Sequence, residues 1–375
     1  MNGSNVKLLA GYTVIENPAE TVTTNVVNIG ATVLWEQGYT GKGVVVAILD
    51  TGCNSKHQDL NNRIIDGRNF TNEFQGEPTV YDDLNGHGTH VAGIIAASLN
   101  HVGIVGVAPD VSLLILKVLD SQGNGSIKSV VEAIDYAVNW KGPNDERVNI
   151  ISMSLGVAKP NEDLHSAIKN AIKSEIAVVV AAGNEGDGNL ITDEYSYPAG
   201  FEEVIAVGAV NESNEVAKFT NTNKEVDLYA PGVNIRSTFI DDQYIELTGT
   251  SMATPHVTGA LALLINKYER LTDSKPTESQ LFDYLMKHTS KVFLADYGQS
   301  ISVLDLTKNV IEIEDNSVNE ALLLKCFCEA RKTQSFFTQC LTESSSEKER
   351  AFLISLIQES ASRANQIKYL CQEFK

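Results

Sequence analysis

No stretch of the sequence reaches the run of about eighteen apolar residues that a membrane-spanning helix requires. The N-terminus, MNGSNVKLLAGYTVIENPAE, lacks a basic head, a long apolar run and a small-residue cleavage site, so it does not read as a signal peptide. Cysteine is scarce and odd in number: of five, Cys326, Cys328, Cys340 and Cys371 fall near the C-terminus. That pattern is no disulfide framework, and the chain reads as cytoplasmic. Positive charge is also short, with 29 Lys+Arg against 48 Asp+Glu and a net charge of -19. Nucleic acid and anionic membranes need a positive field, so neither is an expected partner. Internal repeats and low-complexity linkers are absent as well.

What remains is a chain of 375 residues, 43% hydrophobic and 21% charged, long enough for one large α/β domain with an appendage. Short runs rich in Val and Ile cover 44–49, 112–119, 148–153, 176–181 and 204–210, each bounded by Gly, Asn or Asp. Runs of that length read as strands buried on both faces. Helical patterns over 92–99, 126–140 and 165–174 alternate with them. The alternation predicts a doubly wound, mostly parallel sheet flanked by helices, an α/β fold. Residues 1–20 precede this pattern, carry Pro18, and read as an N-terminal extension. Residues 21–311 form the expected α/β domain and 312–375 a helical extension. Glycine disappears after Gly298. In the tail, Ser346 and Glu349 fit a capping box. Leu353, Ile357, Ala361, Ala364, Ile367, Cys371 and Phe374 then form one apolar stripe. A second helix over about 318–341 is expected to pack on that stripe, which suits dimerisation or docking.

Ligands of an open α/β sheet gather beyond the carboxyl ends of its strands. Three runs end in polar, glycine-bearing sequences: Asp50-Thr51-Gly52, Ser154-Leu155-Gly156 and Ala182-Gly183-Asn184. Two further segments open helices, one with His87 and one with Ser251, the latter followed by Pro255 in what reads as the first turn. Acyl transfer by serine needs a hydroxyl, a base to accept its proton and a carboxylate to orient that base. Ser251, His87 and Asp50 supply those three groups. The Ser251 N–H lies at a helix N-terminus, where donors are unpaired and negative charge is favoured. The Asn184 amide is the candidate second donor to an oxyanion.

The segments LDTG, NGHGTHVAG, AAGNEG and GTSMATPHV, in Asp-His-Ser order, resemble the subtilisin family of serine endopeptidases. DTGCNSKHQDL, GRNFT, NIISMSLG and FTNTNKEVDLYAPG are similar to the intracellular serine proteases of Bacillus-like bacteria, over about residues 1–310. The resemblance implies an acyl-enzyme mechanism on peptide or protein substrates. It implies substrate binding as an added strand between Gly123-Asn124-Gly125 and Ser154-Leu155-Gly156. Ser154-Leu155-Gly156, with Ala182, Gly183 and Ser196, would line the pocket for the residue before the scissile bond. No charged residue is placed at its floor, which favours an apolar or medium-sized residue there. The resemblance also implies a structural calcium held by Asp59 and Asn100 with the carbonyls of Ser98, Val102 and Ile104. A weaker second cation site would use carbonyls of Ala199, Phe201 and Val204. That branch carries an inhibitory N-terminal element with a proline; here Leu8-Leu9-Ala10-Gly11-Tyr12 stands in its place without one.

Other residues have plainer readings. Cys53 reads as a small buried apolar group, Met252 as an oxidation liability, and His90 and His256 as packing or hydrogen-bonding histidines. Cys326 and Cys328 point to different sides of a helix with no histidine near, so ordinary packing is expected rather than zinc. Two rivals to general proteolysis stand: a maturation protease for one precursor, and a latent regulatory scaffold with a partner-binding tail.

Overall fold

The computed structural model describes residues 5–6, 13–15, 20–295, 297–308, 320–344 and 346–373. The chain divides into two compact units, Met1–Val310 and Ile311–Lys375. In the first, the Val- and Ile-rich runs form strands β1 (Val45–Asp50), β3 (Ser112–Lys117), β4 (Ile150–Met153), β5 (Ala177–Ala181) and β6 (Ile205–Val210). Four outer strands join them: β2 (Ile64–Asn69), β7 (Val226–Pro231), β8 (Thr289–Leu294) and β9 (Gln299–Leu304). The order across the sheet is β8-β9-β7-β6-β5-β4-β1-β3-β2. All neighbours run parallel except the β8–β9 hairpin.

Both faces of the sheet are covered, which is why its central strands tolerate no alternation of polar residues. On one face lie α2 (Ile127–Asn139) and α3 (Glu162–Lys173). Their stripes Val130, Ala133, Ile134, Ala137 and Leu164, Ala167, Ile168, Ala171 pack on Leu49, Leu114, Leu116, Ile151 and Val178. Ser126 Oγ accepts the Ser129 N–H at 3.0 Å and Asn161 Oδ1 the Leu164 N–H at 3.0 Å, so each helix has a side-chain cap. The opposite face holds α1 (His87–Ala96) and α4 (Thr250–Thr272), which pack on each other, followed by α5 (Glu278–Lys287). A buried hydroxyl pair, Ser152 Oγ to Thr258 Oγ1 at 2.9 Å, joins β4 to α4.

Three differences from the sequence reading have local causes. α1 begins at His87 rather than five residues later, because Asp83 caps it from outside. Its carboxylate accepts the Gly86 N–H at 2.8 Å and the Thr89 N–H at 2.9 Å. α3 begins at Glu162, since Asn161 supplies the cap and Glu162 and Asp163 favour the first turn. Pro255 sits one turn inside α4, not in its first turn.

The second unit is a pair of packed helices, α6 (Glu320–Glu343) and α7 (Glu347–Glu373). Ser346 Oγ accepts the Glu349 N–H at 3.5 Å, the start of the expected cap. Leu353 and Ile357 are half-buried, whereas Phe336, Phe352 and Ile354 are exposed. Residues 8–12, Pro18 and Phe374 lie outside the described residues, as do the side chains of the stripe beyond Ala361.

The packing of α2 gives a stability test. Ile134 is fully buried in the face shared by α2 and the sheet. Ile134→Ala is expected to lower unfolding free energy by about 2–5 kcal/mol, from lost transfer energy plus the cavity left behind. Urea unfolding should show a lower midpoint at unchanged slope. Lys128→Ala, on the exposed side of the same helix, should stay within about 0.5 kcal/mol of the parent.

Candidate active site

Asp50 is the last residue of β1 and is buried at 1% exposure. Its Oδ1 accepts the Thr51 N–H at 2.7 Å and faces His87 Nδ1 at 2.8 Å. A carboxylate in that position only accepts, so Nδ1 carries the proton and Nε2 keeps its lone pair. Burial pulls the His87 pKa down, but the Asp50 charge and hydrogen bond, helped by Asp83, win and leave it raised above 6.5. The close approach demands glycine at 88. A Cβ there would meet the Gly52 carbonyl and lie 3.2 Å from Asp50 Oδ1.

His90 and His256 have no such partner. His90 Nε2 lies 3.2 Å from the Ile245 carbonyl and His256 Nδ1 lies 2.8 Å from that of Met252. Burial drives the first down to about 3 and the second to about 4, so both stay neutral. Cys53 is fully buried, and burial, with the nearby Asp83 charge, raises its thiol well above the usual range.

Ser251 is the second residue of α4, so its N–H has no carbonyl one turn back. Its hydroxyl donates to the Ser154 carbonyl at 3.3 Å, and the Ser154 hydroxyl donates to the Ser251 carbonyl at 2.9 Å. The second bond answers Pro255: a proline at that position offers no N–H to the carbonyl four residues back, which is that of Ser251. Ser154 therefore supplies the donor that the helix cannot.

Asn184 follows β5. Its Oδ1 accepts from the Thr250 N–H at 2.9 Å and the Thr250 hydroxyl at 2.9 Å. A backbone N–H can only donate, which fixes the amide with Nδ2 facing the other way. A point one bond out from Gly249 Cα lies 3.4 Å from Asn184 Nδ2 and 3.7 Å from the Ser251 N, so both donors border one space. Thr250 and Thr51, which set these orientations, were not singled out from the sequence; each adjoins a residue that was.

The remaining segments fall around these groups. Gly123, Asn124 and Gly125 form a tight turn closed by the Asp120 N–H on the Asn124 carbonyl at 2.8 Å, with Gly125 bridged to Leu119. Residues 5–6 pair antiparallel with 125–126 on this edge. Ser154, Leu155 and Gly156 follow β4; Val157 and Tyr197 then exchange backbone hydrogen bonds of 2.7 and 2.8 Å. That pairing sets Ser196 against Gly156, where any Cβ would strike the Ser196 hydroxyl. Ala182 is buried and Gly183 has φ +110. Ala199, Phe201 and Val204 lie in the turn before β6, where the Phe201 carbonyl accepts the Val204 N–H at 3.4 Å.

Asp59, fully buried, accepts from the Asn100 amide at 3.2 Å, the Ile104 N–H at 3.1 Å and the Tyr244 hydroxyl at 2.8 Å. Burial raises its pKa against those bonds. Among the described residues the Ser98 and Val102 carbonyls accept no protein hydrogen bond, and Ser98 Oγ is buried without a partner. Gly103 (φ +63) leaves room for this approach, since a Cβ would collide with Tyr244 and Asp59. Glu20 Oε1 accepts the Asn100 N–H at 2.7 Å and the His101 N–H at 2.5 Å, bringing a second carboxylate that no sequence signal marked. Asn100 turns Nδ2 toward Asp59 and the Gln58 carbonyl while its Oδ1 accepts the Val102 N–H at 3.1 Å, so the oxygens that suit a hard cation are those of the carboxylates and carbonyls. Among the described residues no three or more His, Cys, Asp or Glu side chains cluster to hold a metal, so a cation here would rest largely on carbonyls.

Comparison with known proteins agrees with this geometry. The Subtilase family model matches residues 41–321. The major intracellular serine protease of Bacillus subtilis (strain 168) is 49% identical over 268 residues, 71% of this chain and 82% of that protein. The intracellular serine protease of Paenibacillus polymyxa is 49% identical over 261 residues, 70% of this chain and 78% of that protein. Subtilisin E of Bacillus subtilis is 42% identical over 257 residues, 68% of this chain and 64% of that protein. The chain belongs to the subtilase family and is a subtilisin-type serine endopeptidase.

Proposed function

We propose that Asp50, His87 and Ser251 are the triad of this peptidase and that Asn184 Nδ2 and the Ser251 N–H form its oxyanion hole. The observation that carries the reading is the 2.8 Å contact of Asp50 with His87 Nδ1, which leaves Nε2 as the free base. Ser251 Oγ rotates off the Ser154 carbonyl, gives its proton to His87 Nε2 and attacks the scissile carbonyl carbon. The oxygen of the tetrahedral intermediate takes hydrogen bonds from Asn184 Nδ2 and the Ser251 N–H. His87 passes its proton to the leaving amine, and water, activated by the same base, releases the acyl group. Substrate adds as a strand between 123–125 and 154–156. The side chain before the scissile bond enters a pocket of Ser154-Leu155-Gly156, Ala182, Gly183 and Ser196, narrowed by the Ser196 hydroxyl.

We read the 98–104 loop with Asp59 and Asn100 as a calcium site whose bound cation clamps the loop; Glu20 adds charge beside it. Carbonyls of Ala199, Phe201 and Val204 would form a second, weaker cation site. Residues 5–6 occupy the edge that a substrate strand would use, so the extension acts as a competitor until it is displaced or cut. The names of the intracellular relatives and the net charge of -19 support a cytoplasmic enzyme. Exposed Phe336, Phe352 and Ile354 support the tail as a self-association element.

Hydrolysis of a chromogenic peptide tests the triad: Ser251→Ala should lose activity, by about 10⁶-fold as found in subtilisin itself. Retained activity in that variant would sink the assignment. EDTA should lower the melting temperature of inactive Ser251→Ala, and Asp59→Ala should remove that response. Removing residues 1–18 should raise initial rates on a peptide without changing the spectrum of the fold.

The pH dependence follows from His87. Only its neutral form is a base, so kcat/KM should fall as pH drops through a pKa above 6.5. The linked stability has the opposite sense. A raised pKa stabilises the fold fully below the unfolded value of about 6.5, and this is lost as pH rises through the folded pKa. Ring-proton titration of His87 by NMR should show the raised midpoint, and Asp50→Asn should bring it below 6.5.

A further inference from the structure

Lys117 ends β3, and its side chain is fully buried. A buried ammonium is costly unless every donor is answered. Here Nζ donates to the Thr51 carbonyl at 2.6 Å and the Leu119 carbonyl at 3.0 Å, and pairs with Glu73 Oε2 at 2.8 Å. Glu73 stands off the sheet in the turn Glu73–Gly76, and its Oε1 accepts the Ser121 N–H at 2.9 Å. Burial opposes ionisation of Glu73, but Lys117 and Ser121 outweigh it and hold its carboxyl below the usual range.

Both ends of this chain of contacts meet functional backbone. Thr51 is held at three points. Its N–H is on Asp50 Oδ1 at 2.7 Å, its hydroxyl oxygen accepts the Gly88 N–H at 2.9 Å, and its carbonyl is on Lys117. The Asp50–His87 geometry is therefore braced from below by Lys117. At the other end, Leu119 and Ser121 belong to the turn that presents 123–125. Within it Asp120 Oδ1 accepts the Gln122 and Asn124 N–H groups, each at 2.9 Å.

We propose that Lys117 and Glu73 are positioning residues that fix the substrate edge 123–125 relative to the Asp50–His87 pair. Peptide bound along that edge then contributes to turnover and not only to affinity. Binding energy remote from the scissile bond raises kcat only when the frame between the two is stiff, because small displacements of reacting groups are costly. An ion pair whose ammonium is fully buried, with three hydrogen bonds and one 2.8 Å ionic contact around it, is such a frame, whereas a fully exposed pair would not be. The inference rests on the triad and substrate-edge assignments above.

The test compares substrates of two lengths on the full chain. A blocked tetrapeptide anilide lies along 123–125, while a blocked single-residue ester does not reach it. Glu73→Ala is expected to lower kcat/KM for the tetrapeptide about tenfold, in kcat as well as KM, with the ester within about twofold. Glu73→Gln, which keeps an acceptor for the Ser121 N–H, should recover part of that loss. Lys117→Met releases Thr51 as well and should slow both substrates. Equal losses on both substrates in Glu73→Ala, or no loss on either, would overturn the positioning role. Should Lys117→Met fail to fold, the two Glu73 variants decide alone. Ser251→Ala separates the two readings: residual turnover there would remove the triad assignment, whatever the Glu73 variants do.

Discussion

A carboxylate at 1% exposure, at the tip of a buried strand, sets the terms for the rest of the molecule. Asp50 can stand there only if its charge is answered at once; on Oδ1, Thr51 N–H and His87 do so at 2.7 and 2.8 Å, while Oδ2 is buried without a hydrogen bond among the described residues. Each answer creates a further demand. His87 must sit on the first residue of α1, so that helix needs its own cap, and Asp83 supplies one as a second buried carboxylate. Thr51 must be held, so its hydroxyl ties to Asp83 at 2.9 Å and its carbonyl to Lys117. Buried charge and buried countercharge thus spread from one strand tip into two loops.

Ser251, the proposed nucleophile, is placed by a different device. α4 is buried along nearly its whole length, so its N-terminus has the rigidity of the core and not of a surface loop. Pro255 would ordinarily weaken such a helix by leaving a carbonyl unpaired. Here the unpaired carbonyl is that of Ser251, and Ser154 fills it from the end of β4. The bond couples the segment that would line substrate to the residue that would attack it. Thr250 does the same for Asn184, turning its amide so that the donor faces outward. Flaws in regular helix geometry have become cross-links between sheet and helix.

The parts of this arrangement that can be read in one dimension are those carried by local chemistry. A polar residue within three positions of the end of an apolar run marks a strand tip, and that singles out Asp50 and Asn184. Histidine or serine at the start of a helical pattern is enough to find His87 and Ser251. The central strands were legible for the same reason, because burial on both faces leaves continuous Val and Ile. The β2 strand was not, since its IIDGRN sequence is half exposed at the sheet edge and carries no such run. Glu20 and Lys117 were missed because their partners are distant in sequence. Glu20 meets the 100–101 amides and Lys117 meets Thr51, and nothing in the local pattern foretells either contact. The helical pattern over 92–99 starts five residues inside α1, whose first turn is held by Asp83 from beyond its first residue.

The histidines show why the carboxylate, and not burial, sets His87 apart as the proposed base. His87, His90 and His256 are all buried and lie on two helices packed against each other. Desolvation acts on all three in the same direction, disfavouring the charged ring. His90 and His256 have only a backbone carbonyl as acceptor, and they fall to about 3 and about 4. A carbonyl dipole orients a ring but cannot repay the loss of hydration. His87 alone faces a carboxylate, and its shift reverses sign. The same field that lifts His87 also steadies the positive ring that forms when it takes a proton, which neither of the other two rings could sustain. Burial thus excludes His90 and His256 from proton transfer, while Asp50 fits His87 for it.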